Sequence, residues 1–140
     1  MLIFETMKTT TLLKKCPFGN DATYEECCKL AHDNPSFIET AEALMRSRYV
    51  AFTKADVDYL VATHHSDSRE KIDQKNLGLW AKSVRWIRLE VLKVENGTVD
   101  DEQGIIEFRA SYQEGKRFKS IHEKSLFKRE FGTWVYFGKL

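Results

Sequence analysis

The sequence predicts an α+β domain in which helices pack on one face of a curved antiparallel sheet. Two observations lead to this fold class. Apolar residues recur every three or four positions from Ser36 to about Ser83, and every second position from Val84 to Phe137, which are the periods of amphipathic helices and of strands. With 140 residues, the chain can bury a core without disulfides or metal.

Three helices are predicted in the first half. The first begins near Ser36, and a second follows Thr53, which we interpret as its N-cap because Asp56 stands three residues on, as in a capping box. The third runs from about Arg69 to Ser83, although Gly78 weakens it. The inward-facing residues of the three helices are predicted to be Ala41, Leu44, Met45, Tyr49 and Phe52, then Val57, Leu60 and Val61, then Ile72, Leu79 and Trp80.

The second half is predicted to form a meander of four strands. Turn sequences at Asn96-Gly97, Glu114-Gly115 and Phe131-Gly132 separate them, and such short connections make neighbouring strands antiparallel. The predicted strands are Val84 to Glu95, Ile105 to Glu114, Lys116 to Glu130 and Thr133 to Phe137.

Residues 1–35 differ from the predicted domain at 36–140, because they are polar and carry all three cysteines. Cys16, Cys27 and Cys28 provide three thiolates, and His32 stands four residues beyond Cys28, which is one turn if this stretch is helical, so a tetrahedral zinc site is one interpretation. The segment resembles a SEC-C zinc motif in which Phe18 occupies a ligand position. We therefore expect a degenerate arm without zinc and no other cofactor.

Several short stretches together span almost the whole chain and carry a second resemblance. They are Cys16-Pro17, Tyr24, Cys27-Cys28, the run L-M-R-S-R-Y-V-A-F from Leu44 to Phe52, Asp58 to Leu60, His122 to Phe127, and Trp134 to Tyr136. On these residues the chain resembles the bacterial YchJ family. The resemblance implies a cone-shaped, nuclear-transport-factor-2-like fold, open at one end, and no settled activity. Some relatives carry a second cysteine motif that is not found in this sequence.

Arg48 is the most unusual residue of the first helix, because it shares the buried stripe with apolar side chains. A buried guanidinium needs a partner. On the third predicted strand, Glu123 alternates to the same face as Ile121 and Phe127. We expect Arg48 and Glu123 to meet inside the cone through a bidentate contact. The pair is either a structural salt bridge or the polar end of a ligand pocket.

Four further aromatic residues are candidates for the walls of such a pocket, with core packing as the alternative: Tyr49, Tyr112, Trp134 and Tyr136. The predicted function is a small-molecule-binding or protein-adaptor module without catalysis. The alternative is an isomerase or dehydratase that uses Glu123 as its base, by analogy with enzymes of the same fold. His64 and His65 close the second predicted helix and could reach the mouth of a cavity, but the preferred interpretation is two exposed residues near a helix C-terminus.

Composition and charge indicate which kinds of binding partner the protein can have. The formal net charge is +1, and acidic residues lie among Arg117, Lys119, Lys124, Lys128 and Arg129. We therefore predict a solvated sheet face and no nucleic acid. The apolar start of the chain ends at Glu5, too short for a signal or a membrane span, so a cytoplasmic protein is expected. The small molecule or protein partner and the oligomeric state are left open.

Overall fold

The computed structural model describes residues 35–140. The cysteine-bearing arm, with Cys16, Cys27, Cys28 and His32, lies outside this range. A short 3₁₀ turn (Pro35–Phe37) is followed by helices α1 (Ala41–Thr53), α2 (Val57–Ala62), α3 (Ser66–Arg69) and α4 (Gln74–Ser83), and by strands β1 (Arg85–Asn96), β2 (Gln103–Glu114), β3 (Arg117–Glu130) and β4 (Thr133–Lys139). The predicted α+β class is confirmed.

The helix starts differ in detail from those predicted. Thr53 is the last residue of α1, and its hydroxyl donates to the carbonyl of Val50 at 2.7 Å. Asp56 caps α2 instead, since its carboxylate accepts from the backbone N–H of Tyr59 at 3.1 Å. An aspartate at this position satisfies an N–H that has no partner within the helix, so the capping box proposed for Thr53 was wrong.

The predicted third helix is two helices, and the break changes which side chains face inward. Asp73 caps α4 by accepting from the backbone N–H of Asn76 at 3.1 Å, so the continuous period assumed from Arg69 does not hold. Leu79 is 58% exposed, and Ala81 is buried in its place. The inward position predicted for Leu79 was therefore wrong.

The four strands form one antiparallel sheet in the order β1-β2-β3-β4, so that β1 and β4 are its edges. Register shifts interrupt the pairing of β1 with β2 between Trp86 and Arg88 and again between Val91 and Lys93. A third shift, between Leu126 and Phe127, pairs Phe127 with Tyr136. Bulges of this kind bend and twist a sheet, which suits a sheet that wraps around helices.

The main core lies between α1 and the inner face of the sheet. Its buried members are Ile38, Ala41, Leu44, Met45, Tyr49, Leu89, Ile106, Ala110, Phe127 and Trp134. A smaller cluster of Ala51, Tyr59 and Leu60 joins α1 to α2. Alternate residues of β2 supply Ile106, Ala110 and Tyr112 to the interior, as the period of two predicts.

The β1–β2 hairpin holds the start of α1 through two glycines. Gly97, at φ +77°, accepts a hydrogen bond from the backbone N–H of Ala41 at 2.9 Å. A Cβ on Gly97 would lie 2.7 Å from the Cβ of Ala41, and a Cβ on Gly104 would lie 2.5 Å from the Cα of Gly97. The hairpin can approach the helix this closely because neither residue has a side chain.

Several basic side chains of β3 lie next to acidic side chains of the same sheet. His122 Nε2 lies 2.7 Å from Glu107 Oε2, Lys119 Nζ lies 2.7 Å from Glu114 Oε1, and Lys124 Nζ lies 3.7 Å from Glu95 Oε2. Arg129 instead donates to backbone carbonyls, among them that of Asp101 at 2.8 Å, and stacks on Trp134. His122, Lys119 and Lys124 are therefore paired with carboxylates, and Arg129 with backbone carbonyls.

Within residues 35–140, no helix combines the length and the apolar character that crossing a bilayer requires.

Candidate functional site

A cavity of about 350 Å³, partly open to solvent, lies between the helices and the inner face of the sheet. Helices α1, α2 and α4 and all four strands contribute to its wall. The wall is mostly apolar, and aromatic rings form much of it, including Tyr49, Phe52, Trp80, Trp86, Phe108 and Tyr136. The polar side chains that reach it include Arg48, His64 and Glu123.

Arg48 is 9% exposed and is fixed by the end of α2. Its Nη1 donates to the backbone carbonyl of Leu60 at 2.9 Å and to Oγ1 of Thr63 at 2.7 Å. Its guanidinium carbon lies 4.8 Å from the centroid of the Tyr136 ring. Burial lowers the pKa of Arg48 to about 10, against the opposing effects of Tyr136, Tyr59 and Glu123. Arg48 therefore carries its charge at neutral pH.

Glu123 lies on β3 and belongs to the wall of the same cavity. Its Oε2 accepts hydrogen bonds from the hydroxyl of Tyr136 at 2.8 Å and from Oγ of Ser125. No described residue donates to its Oε1. The carboxylate is thus held by two hydroxyl groups, and its other oxygen is left for a further partner.

The bidentate contact expected between Arg48 and Glu123 is not formed; none of the ion pairs within 4.0 Å among the described residues joins these two side chains. Nη1 of Arg48 is occupied by the end of α2, and Tyr136 connects the two groups by stacking under Arg48 and donating to Glu123. The sequence had placed both groups at the interior. It had missed Thr63, a residue that is 1% exposed and that no sequence pattern distinguished.

The four aromatic candidates divide into two pairs. Tyr49 and Tyr136 line the cavity, whereas Tyr112 and Trp134 are not in its wall. Tyr112 is buried behind the wall, with its ring 5.5 Å from that of Trp80 and 5.4 Å from that of Trp86. Trp134 is completely buried in the core, and its Nε1 donates to the carbonyl of Glu39 at 3.0 Å.

Burial raises the pKa of the Tyr49 hydroxyl to about 12. The side chain is 3% exposed, and within residues 35–140 its hydroxyl has no hydrogen-bond partner. Burial, followed by the charge of Glu123 and the hydrogen bond to it, also raises the pKa of Tyr136. Both hydroxyl groups are therefore neutral donors at physiological pH.

His64 belongs to the cavity wall, which agrees with the less favoured of its two interpretations. Its ring centroid lies 5.4 Å from that of Tyr136, and its Nε2 lies 2.7 Å from Oγ of Ser68. Burial lowers the pKa of His64, and the positive charges of Arg48, Arg69 and His65 lower it further. The exposed placement expected for His64 was wrong because His64 forms an isolated bridge with Tyr136, which draws it against the sheet.

No group of three or more histidine, cysteine, aspartate or glutamate side chains suited to a metal occurs within residues 35–140. The candidate zinc ligands Cys16, Cys27, Cys28 and His32 lie outside this part of the chain. The expectation that they bind no zinc stays a prediction.

Helices packed on one face of a curved four-stranded sheet, with a cavity between the two layers, define a domain of the nuclear-transport-factor-2-like class. The family model described as the middle NTF2-like domain of YchJ matches residues 40–138. The chain therefore belongs to the YchJ family.

The relatives agree with this assignment. A UPF0225 protein of Streptomyces coelicolor is 41% identical over 121 residues, which cover 86% of this chain and 90% of that protein. Another UPF0225 protein, from Vibrio parahaemolyticus, is 37% identical over 127 residues, which cover 89% of this chain and 74% of that protein.

Among solved structures, a SEC-C motif containing protein from Rhodopseudomonas palustris superposes with a TM-score of 0.77 and 31% identity, covering 89% of this chain and 96% of that one. A SEC-C motif containing protein from Psychrobacter arcticus superposes with a TM-score of 0.75 and 25% identity, covering 91% and 81%. The resemblance seen in the sequence is confirmed.

Proposed function

We propose that the described domain is a small-molecule-binding module and that its ligand occupies the cavity beside Arg48 and Glu123. The observation that carries this proposal is the cavity itself. Its volume of about 350 Å³ falls within the range of small-molecule sites, and aromatic walls with a few polar groups are typical of such sites. Protein interiors are otherwise close-packed, so a space of this size between helix and sheet is better explained by an occupant than by core packing.

The test uses the full chain and the neutral planar probe 2-naphthol, followed by ¹H–¹⁵N correlation spectra. We expect saturable shifts at the indole N–H groups of Trp80 and Trp86, which both lie in the wall. Ala110→Leu adds three carbon atoms to the wall and should abolish binding. The matched control is Ser111→Leu, since Ser111 is the next residue of β2 and faces the other side of the sheet.

Ala110 is 4% exposed, and overpacking can destabilise a domain by about 1–3 kcal/mol. If Ala110→Leu does not fold, Ile121→Phe provides a second way to fill the cavity, with His122→Phe as its outward-facing control. Binding that survives a folded cavity-filling variant, or the absence of any saturable shift in the wild-type protein, would overturn the proposed function.

A second candidate function is proton abstraction by Glu123, and one observation favours it. Oε1 of Glu123 accepts no hydrogen bond from a described residue, and the side chain lies in the cavity wall, so this oxygen is in place to take a proton. The test is exchange of the α-hydrogens of 2-tetralone in D₂O. Acceleration by the wild-type protein but not by Glu123→Gln would favour an enzyme, and equal rates would exclude this use of Glu123.

The protein-adaptor role stays a prediction, and residues 1–35, which resemble a SEC-C motif, lie outside the described residues. The cytoplasmic location likewise stays a prediction.

A further inference from the structure

The polar end of the cavity contains a cation that the domain satisfies only in part. Nη1 of Arg48 makes both of the hydrogen bonds that Arg48 donates within residues 35–140, so no described acceptor faces Nε or Nη2. The side chain is 9% exposed and lines the cavity. A buried donor without an acceptor is costly, and the cost is greater for a charged group. The free edge of this guanidinium therefore favours an acceptor that enters from the cavity.

Glu123 is the carboxylate in the wall, but it does not supply that acceptor. Its Oε2 is occupied by Tyr136 and Ser125, and it forms no ion pair with Arg48 within 4.0 Å. The Tyr136 ring is stacked on Arg48 and its hydroxyl is bonded to Glu123, so one side chain separates the two charges. Arg48 is thus the less satisfied of the two charged groups.

The remaining wall limits the shape of the occupant. Trp80 and Trp86 meet edge to face with ring centroids 5.3 Å apart, and Trp86 meets Tyr49 in the same way at 5.9 Å. Phe52 lies against Trp86 at 5.7 Å. Flat aromatic surfaces of this kind contact planar apolar molecules well. The Tyr49 hydroxyl, which has no described partner, adds one neutral donor to this part of the wall.

Building on the proposed function, we propose that the ligand is a planar, largely apolar carboxylic acid whose carboxylate is bound by the free edge of Arg48 while its ring system packs against Trp80, Trp86 and Tyr49. An arginine edge binds a carboxylate through two parallel hydrogen bonds, a geometry that a neutral amide or an alcohol does not reproduce. The acid is chosen over an amine because the carboxylate of Glu123 already has two donors, whereas Nε and Nη2 of Arg48 have no acceptor among residues 35–140.

The first experiment compares three probes of one shape by titration calorimetry on the full chain: 2-naphthoate, 2-naphthamide and 2-naphthylmethylammonium. A charge-assisted pair favours the acid over the amide by about tenfold or more, and the ammonium should bind weakest. An acid that binds no better than the amide, or an ammonium that binds best, would overturn the ligand class.

The second experiment changes the charge near Arg48 without removing Arg48. Glu123→Gln keeps the shape of the side chain and removes a negative charge that would repel the ligand carboxylate, so 2-naphthoate should bind about three- to tenfold more tightly. Glu107→Gln is the matched control, because Glu107 lies on the outer face and pairs with His122, and it should leave the affinity unchanged. A weaker acid affinity in Glu123→Gln would contradict the proposal.

Removing the guanidinium completes the test. Arg48→Gln should reduce the affinity for 2-naphthoate to that for 2-naphthamide. If the folded variant still prefers 2-naphthoate over 2-naphthamide as strongly as the wild-type protein does, Arg48 does not bind the carboxylate. If Arg48→Gln does not fold, the probe series and Glu123→Gln still decide the question. If neither 2-naphthol nor any of the three probes binds, the proposed function itself is wrong. If 2-naphthol binds but 2-naphthoate binds no better than 2-naphthamide, only the proposed ligand class is wrong.

Discussion

Tyr49 has a hydroxyl that is buried in the cavity wall without a partner among residues 35–140. Ionising it would place a negative charge in an apolar environment, which is why burial raises its pKa to about 12. In the unfolded chain a tyrosine titrates near its ordinary value of about 10. The folded state therefore holds this proton more tightly than the unfolded state between these two values, and its stability must fall as the pH rises through that window.

The variant Tyr49→Phe isolates this effect. We expect the free energy of unfolding of the wild-type protein to fall relative to that of the variant by about 1 kcal/mol between about pH 9 and about pH 11, measured by urea unfolding at each pH. Between about pH 8 and about pH 9 the difference should stay constant, because tyrosine is neutral in both states. Parallel curves up to about pH 11 would show that the hydroxyl ionises as easily in the folded protein.

The sequence predicted the interior location of Arg48 and Glu123 from helical and strand periods, but it could not predict what each would contact. The acceptors of Arg48 are a backbone carbonyl at Leu60 and the Thr63 hydroxyl, both at the end of another helix. Their position depends on how α1 and α2 cross, which no local pattern specifies. Tyr136 lies opposite Phe127 in the pairing of β3 with β4, and its ring centroid lies 4.8 Å from the guanidinium carbon of Arg48.

At the scale of elements, the β1–β2 hairpin and the start of α1 depend on one another. Gly97 accepts from the first backbone N–H of α1, while Gly97 and Gly104 face each other across the hairpin. A Cβ on Gly104 would lie 2.5 Å from the Cα and 2.7 Å from the N of Gly97. These are backbone atoms, so the overlap cannot be relieved by a change of rotamer.

Gly104→Ala should therefore lower the free energy of unfolding by more than about 2 kcal/mol, measured by urea unfolding. Gly138→Ala on β4 is the control, since a Cβ there meets nothing within 4 Å, and its effect should stay within about 0.5 kcal/mol. Equal stabilities of the two variants would mean that the hairpin can move away from α1 without loss.

Element types could be predicted because the hydrophobic period changes sharply near Val84, and the four predicted strands agree with β1 to β4 within about two residues at most ends. Helix boundaries were harder to predict. Thr53 and Asp56 are both suitable N-cap residues by type, and the sequence alone does not show which of them caps α2. The break between α3 and α4 contains no proline, so its signal was only the cap at Asp73.

At the scale of the whole molecule, the family and the fold were predicted most securely, because the matching stretches are spread along the chain. The cavity was expected only from the resemblance to the YchJ family. Its volume depends on the distance between the helices and the sheet, which no single residue determines. The absence of nucleic acid binding stays a prediction, supported by ion pairs such as those of Lys119 with Glu114 and Lys124 with Glu95.

The zinc content of the whole chain has to be measured, because the cysteine-bearing arm lies outside the described residues. With Phe18 in place of a ligand, we expect the purified full chain to contain zinc well below one equivalent and to keep its thermal midpoint after chelator treatment. The measurement is elemental analysis before and after the chelator, with Cys16→Ser as the control. One tightly held zinc per wild-type chain, lost in Cys16→Ser, would refute this expectation.

The two register shifts in β1 have a consequence for how the protein behaves at high concentration. Among residues 35–140, β1 pairs with β2 along one side only, and an unpaired side of a strand can template a strand from a neighbouring chain. The shifts at Trp86 to Arg88 and at Val91 to Lys93 interrupt the regular spacing of those groups, and a flat intermolecular ladder cannot run past them without distortion. We therefore expect the irregularities that curve the sheet to hinder fibril-like assembly along this edge.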